Sequence, residues 1–170
     1  MHPQVGGAGP EKLEGDGCAP AGIFAITVLF GYADPDTAFA RAAKLPYLCA
    51  AGDLKCVDDP DSAYYNRIVD QSAIRPDWAS CEDMLRDDER YAVGAVVAHN
   101  AGPVVPGAGS CIFLHVRAGE GVPTAGCTAM ALIARPVNGT KPGWFVRPEL
   151  NGPFSTGAVS ALSMRYRPTP

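Results

Sequence analysis

The stretch Gly109 to Met130, GSCIFLHVRAGEGVPTAGCTAM, decides how the rest of the chain is read. Its first half holds Ile112-Phe113-Leu114-His115-Val116-Arg117. Side chains alternate across a strand, so Ile112, Leu114 and Val116 share one face and Phe113, His115 and Arg117 the other. The histidine then stands between an aromatic ring and a cation. Its second half is glycine, proline and small residues, ending in Ala125-Gly126-Cys127, too poor in apolar bulk to be core. A thiol attacks only as the thiolate, and its reference pKa of about 8.5 means that it needs a base or a positive surrounding. His115 is the candidate base and Cys127 the candidate nucleophile. Gly126 permits close approach of a substrate, and the backbone N–H groups of Gly126 and Cys127 are candidate donors to an oxyanion. His99 competes for the role of base, although the Asn-Ala-Gly-Pro that follows it reads as a strand end.

Outward from this stretch, composition sets the frame. At 170 residues and 47% hydrophobic content, one domain with a packed core is the default. Gly 19 and Pro 16 make up about a fifth of the chain without a repeat period, which predicts frequent turns, few long helices and a mostly β fold. No run approaches the roughly 18 apolar residues of a membrane span. The first residues lack the basic region and apolar core of a signal peptide, so an exported protein would have had its signal removed. Residues 1–90 carry 16 acids and 8 bases, and residues 91–170 carry 2 acids and 6 bases. If the second half keeps its own field, it depresses a thiol pKa and attracts carboxylates; if folding mixes the halves, the field averages out. The bases are not interleaved with aromatics as in a nucleic-acid surface.

Six cysteines, at 18, 49, 56, 81, 111 and 127, form no CxxC pair, and the three histidines are far apart, so no metal site is expected. Cys49 and Cys56 flank a short polar loop and are expected to bridge in an oxidising compartment, with two free thiols as the alternative. Cys111 reads as a small buried hydrophobe.

Along the chain, Ala21 to Phe30 reads as a strand. Asp34 to Ala43 reads as a helix of two to three turns with an acidic cap and Pro35 at its first position. Lys55-Cys56-Val57, Tyr91 to His99, Trp144-Phe145-Val146 and Ser155 to Arg167 are further strands. Ser80 to Arg90 has a capping-box-like start and predicts a brief helix. Ala129 to Ala134 fits either a helix or a strand. The acidic run Asp58-Asp59-Pro60-Asp61 lacks the spaced ligands of a calcium loop and reads as a solvated turn. The total is six to eight short strands and two or three small helices.

Several segments in order carry a family resemblance: Glu14-Gly15-Asp16-Gly17 with Ala19-Pro20-Ala21-Gly22; Val57-Asp58-Asp59-Pro60 with Tyr65-Asn66; Pro106-Gly107 to His115; and Pro123-Thr124-Ala125-Gly126-Cys127. Together they resemble the catalytic domain of L,D-transpeptidases (the YkuD or ErfK-like family) over about residues 6–134. The resemblance implies a β-sandwich with two or three short helices in one catalytic domain spanning 1–170, residues 136–170 being a Pro-rich extension packed on or near it. It implies a cysteine acyltransferase of the periplasm or cell envelope, without metal or organic cofactor, acting on peptidoglycan stem peptides. Cys127 would attack the bond after the diamino acid of a donor stem, His115 would activate it, and an amine of an acceptor stem would resolve the thioester, giving links of the 3-3 or 1-3 type. Trimming of stems by an L,D-carboxypeptidase and a catalytically silent wall-binding domain are the alternatives.

The tract also departs from the family motif, Ser-His-Gly-Cys followed by an apolar residue and arginine. Here Ala125 and Ala129 stand where the second histidine and the arginine would be. The family's arginine helps to hold a substrate carboxylate. Arg117, one strand step of roughly 6 to 7 Å beyond His115, is the expected replacement, with Arg135 second. Thr124 and Phe113 complete the candidate substrate contacts.

Overall fold

The computed structural model describes residues 11–135, 143–146 and 161–164, and for 132–135, 143–146 and 161–164 the backbone alone. Among the described residues the chain is mostly β. Its main sheet is built on β1 (Gly22–Gly31), whose alternating burial ends in Phe30 and Gly31, both inside. A single helical turn, α1 (Ala38–Arg41), leads to β2 (Tyr47–Cys49), which runs parallel to the end of β1. A second sheet follows, made of β3 (Leu54–Val57) between β4 (Ile68–Asp70) and β5 (Cys81–Asp83), all antiparallel. After a 3₁₀ turn at Glu89–Tyr91 the chain returns to the main sheet as β6 (Val93–Val97), antiparallel to β1. Next come β7 (Phe113–Val116), antiparallel to β6, and β8 (Thr128–Met130), parallel to β7. β9 (Leu132–Arg135) pairs with β10 (Gly143–Val146), and β11 (Ala161–Met164) closes the far edge against β1. The main sheet therefore has the order β11-β1-β6-β7-β8, with β2 also on β1.

The core lies where the two sheets meet. Phe30, Tyr91 and Phe113 pack edge to face with ring centroids 5.1 to 5.6 Å apart, a geometry that aligns ring edges with ring faces. Met84 and the Cys56–Cys111 disulfide complete the cluster.

Several expectations change on this scaffold. The predicted disulfide between Cys49 and Cys56 is not formed. Cys49 ends β2 on the main sheet and is free, while Cys56, on the middle strand of the second sheet, bonds Cys111. Cys111 is buried as expected, but as half of a covalent bridge rather than as a loose hydrophobe. Closing a loop between residues 55 apart stabilises the fold by about 4 kcal/mol in the chain-entropy picture. The brief helix predicted over Ser80 to Arg90 is strand β5 followed by the 3₁₀ turn, because Ser80 donates its hydroxyl to Asp58 instead of capping a helix, and residues 81–83 pair with β3. The helix predicted from Asp34 is shorter. Thr37 is its cap, accepting from the Ala40 N–H at 3.3 Å, while Asp34 closes the preceding turn on the Asp36 N–H. The ambiguous segment 129–134 is strand on either side of Ala131, the end of β8 and the start of β9. Of the strand expected over Ser155 to Arg167, residues 155–160 and 165–167 lie outside the described residues.

Gly94 is the tightest point of the sheet. A Cβ there would overlap the Phe30 ring and sit 2.8 Å from the Leu114 carbonyl oxygen, because Gly94 lies opposite both Phe30 and His115 in the two ladders. Gly94→Ala is expected to destabilise the protein by about 2 kcal/mol, the usual scale of an overpacked core. An unchanged chemical-denaturation midpoint would show that the aromatic cluster can shift aside.

Candidate active site

His115 stands on the core-facing side of β7, two residues after Phe113, and only 7% of its surface is exposed. Its ring packs edge to face on Tyr91 at 5.4 Å, so the aromatic core fixes its plane. Its Nδ1 lies 2.8 Å from the Val116 carbonyl oxygen. A carbonyl only accepts, so Nδ1 carries the proton and the neutral ring keeps Nε2 as a bare acceptor. The histidine's orienting partner is a backbone carbonyl.

Cys127 arrives on the neighbouring strand. His115 is in register with Ala129 of β8, and Cys127 lies two residues before Ala129, at the mouth of the parallel pair. Its Sγ accepts from the Phe113 N–H and donates to the Cys111 carbonyl, each at 3.3 Å. Gly126 before it is buried with φ 157°, and a Cβ there would lie 3.4 Å from both the Cys18 carbonyl oxygen and Lys12 Nζ. Thr124 locks the turn. Its hydroxyl donates to the Cys127 carbonyl at 2.6 Å and accepts from the Gly126 N–H at 3.4 Å.

His115 and Cys127 open into one pocket of about 250 Å³. The Pro123 to Ala125 loop and Ala129 form one wall, and Glu82, Arg86, Arg90 and Tyr91 form another. Asp88 binds both guanidiniums, with Arg86 Nε at 3.3 Å and an Arg90 terminal nitrogen at 2.6 Å. Arg86 also lies over the Tyr91 ring at 5.3 Å. One carboxylate shared by two guanidiniums leaves donors and a positive charge over. The Arg90 side chain holds the Asp88 carboxyl well below the usual carboxylate range. Tyr91 donates its hydroxyl to Glu82, whose carboxyl is raised by burial despite that bond.

The depression of the thiol pKa that an intact field of the basic half would give is not what this site produces. Burial, followed by the nearby Glu82 carboxylate, pushes the Cys127 thiol up to about 12, and the Phe113 N–H and Lys12 oppose this only partly. Burial also lowers His115 below the ordinary imidazole value, helped by Arg90 and Arg86 and opposed by its bond to Val116. Near neutral pH the pair therefore rests as thiol and neutral imidazole rather than as an ion pair.

The sequence-predicted site residues fall into two groups. Cys127, His115, Gly126 and Thr124 meet at the pocket or its supporting turn. Phe113 is wholly buried in the aromatic core and hydrogen-bonds Cys127 through its backbone N–H. Arg117 follows β7, is exposed, and hydrogen-bonds through its own N–H to the Met130 carbonyl; the arginines lining the pocket are Arg86 and Arg90. The side chain of Arg135, the last residue of β9, lies outside the described residues. His99 points elsewhere, its Nε2 bonded at 2.8 Å to the Ala108 carbonyl and its ring on Phe24. Sequence reading missed Glu82, Arg86, Arg90 and Tyr91. Their segment looks like a charged helix surface, with Arg86 and Arg90 at the spacing of neighbours on a helix, and only the β5 pairing turns them toward the histidine.

Comparison of the chain with protein-family models, with curated proteins and with solved structures finds no match. Among the described residues no helix is long and apolar enough to cross a membrane.

Glu82→Gln removes the charge that adds to burial in raising the Cys127 pKa. The variant is expected to alkylate at Cys127 with iodoacetamide several-fold faster at pH 8, its rate–pH midpoint moving down, as read by mass spectrometry of the Cys127 peptide. A midpoint that stays in place would show that burial alone sets the thiol.

Proposed function

We propose that this chain is a cysteine L,D-transpeptidase of the YkuD or ErfK-like kind, with the family's sandwich architecture, acting on peptidoglycan stem peptides in the cell envelope. The observation that carries the reading is the opening of Cys127, behind a buried Gly126, and His115, with Nδ1 tied to a backbone carbonyl, into one pocket. The alternation of residues 112–117 and the ordered segments quoted above support it independently.

The chemistry follows from the neutral resting pair. As Cys127 Sγ bonds to the carbonyl carbon of the donor stem, its proton passes to His115 Nε2, and the oxyanion takes the Gly126 and Cys127 N–H groups, the former leaving its long bond to Thr124. Collapse of the adduct breaks the C–N bond, and the imidazolium returns the proton to the departing amine. The acceptor amine then attacks the thioester, loses a proton to Nε2, and expels the sulfur, which is reprotonated from the ring. Buried neutral groups suit this sequence, because charge forms only while substrate fills the pocket.

Ala125 and Ala129 line the pocket at the positions where the resemblance places a second histidine and an arginine. Arg86 and Arg90 line the same pocket, and these two take over the holding of a substrate carboxylate.

Incubation with tetrapeptide-bearing muropeptides, followed by mass spectrometry, tests the reading. Crosslinked dimers are expected, lost in Cys127→Ala. Tripeptides without dimers would convert the reading to a carboxypeptidase, and neither product nor a Cys127 adduct would refute it. Arg90→Ala is expected to raise KM about tenfold or more with a smaller change in kcat, the loss of one charge-assisted contact. An unchanged KM in both Arg90→Ala and Arg86→Ala would remove them from the carboxylate site.

A further inference from the structure

The segments quoted for the resemblance converge on one dipeptide, Ser110-Cys111, which the chemistry above does not use. Cys111 adopts φ 51°, a left-handed conformation that costs a non-glycine residue about 1 kcal/mol. Four groups from three parts of the chain hold it there. The Glu14 carboxylate accepts the Ser110 hydroxyl at 2.7 Å and also the Tyr65 hydroxyl, while the Glu14 N–H donates to the Gly107 carbonyl at 2.8 Å. Asn66 Oδ1 accepts from the Cys111 N–H at 3.0 Å. The Asn66 amide nitrogen is itself fixed on the carbonyls of His99 and Asn100 at 3.1 and 2.8 Å, and its backbone, at φ 60°, is tied to Val57. The Cys111 side chain is bonded to Cys56. Tyr65, Cys56, Ser110 and Cys111 are all buried.

The carbonyl of Cys111, aimed by this clamp, is the acceptor of the Cys127 thiol. We propose that the Ser110-Cys111 clamp is a positioning device for the nucleophile. Its carbonyl parks the thiol proton and fixes Sγ between the Cys111 oxygen and the Phe113 N–H until substrate draws the proton to His115. A carbonyl cannot keep that proton, so Cys111 sets where the sulfur waits and how firmly it stays protonated, and takes no part in bond making. Because the Cys56–Cys111 disulfide is one jaw of the clamp, reduction of that bond is expected to free the sulfur from its fixed place and slow turnover. The inference rests on the reading of Cys127 as nucleophile, but its main test reads the thiol and not the peptidoglycan reaction.

Three perturbations loosen the clamp separately: reduction of the intact protein with a phosphine, Asn66→Gly, which keeps the left-handed backbone and removes only the amide, and Ser110→Ala, which removes one hydroxyl. For each form that keeps its far-UV circular dichroism, the pH dependence of iodoacetamide alkylation at Cys127 is measured by peptide mass spectrometry, and kcat and KM on muropeptides where turnover is seen. A hydrogen bond to the neutral thiol disfavours ionisation, so its loss is expected to move the alkylation midpoint down by about half a pH unit or more. A sulfur no longer held in place is expected to lower kcat about tenfold or more with KM within about twofold. A clamp that is merely structural would lower the thermal midpoint and leave the Cys127 profile and kcat as in the parent. That result in the folded forms overturns the proposal. A shifted profile without any muropeptide turnover would retain the clamp while rejecting the transpeptidase reading.

Discussion

The structure depends on the double use of one strand face. β7 sends Phe113 and His115 to the same side, and Phe113 is wholly buried against Phe30 and Tyr91. Two residues on, the same face emerges at the pocket, so the histidine inherits the rigidity of the aromatic cluster through its contact with Tyr91. The strand on one side supplies Gly94, whose missing side chain lets Phe30 and the Leu114 carbonyl approach. The parallel strand on the other side delivers Cys127. The parallel step explains the long Gly- and Pro-rich connection, since a parallel neighbour cannot be reached by a tight hairpin.

Placing a thiol and an imidazole at the edge of a core has an electrostatic consequence. Desolvation disfavours both charged forms, raising the thiol and lowering the imidazole, and so drives their pKa values apart in the direction opposite to that of an ion pair. Glu82 adds to the first effect and Arg86 and Arg90 to the second. Net charge over half a sequence carried no information about this, because the charges that matter, Glu82, Arg86 and Arg90, come from the acidic half and line the same pocket as the histidine of the basic one.

What was legible in the sequence follows from the range of each signal. The strand around His115 and its pairing with Cys127 were readable because alternation and a Gly-Cys turn are local patterns. The residue that only packs and the residue that also reaches the pocket, Phe113 and His115, look alike to alternation, so alternation alone makes Phe113 a candidate substrate contact. The disulfide departs from its expectation for a related reason. Cys49 and Cys56 are close in sequence, but proximity of two cysteines across a loop says nothing about which way a strand faces, and β3 turns Cys56 toward Cys111, 55 residues on. The second pocket wall was illegible because residues 80–90 satisfy helix rules locally. Their state is decided by a non-local competitor, the pairing of Cys81 to Asp83 with β3 and the Ser80 to Asp58 bond.

The loop Glu14-Gly15-Asp16-Gly17 shows why a segment poor in core residues can still matter to a thiol more than a hundred positions away. Asp16 accepts from Lys12 Nζ at 2.6 Å and from the Leu13 and Cys18 N–H groups, so the loop is a closed local structure. That closure places Lys12 and the Cys18 carbonyl against Gly126, within 3.4 Å of where a Cβ would stand, and sends Glu14 the other way, to Ser110 and Tyr65. The loop thus touches both flanks of Cys127, the turn that presents it and the dipeptide whose carbonyl accepts its S–H. Lys12 is also the side-chain cation that works against burial in raising the thiol. A buried thiol that rests protonated is placed by its contacts rather than by its charge, and the contacts of this loop are those of a holder.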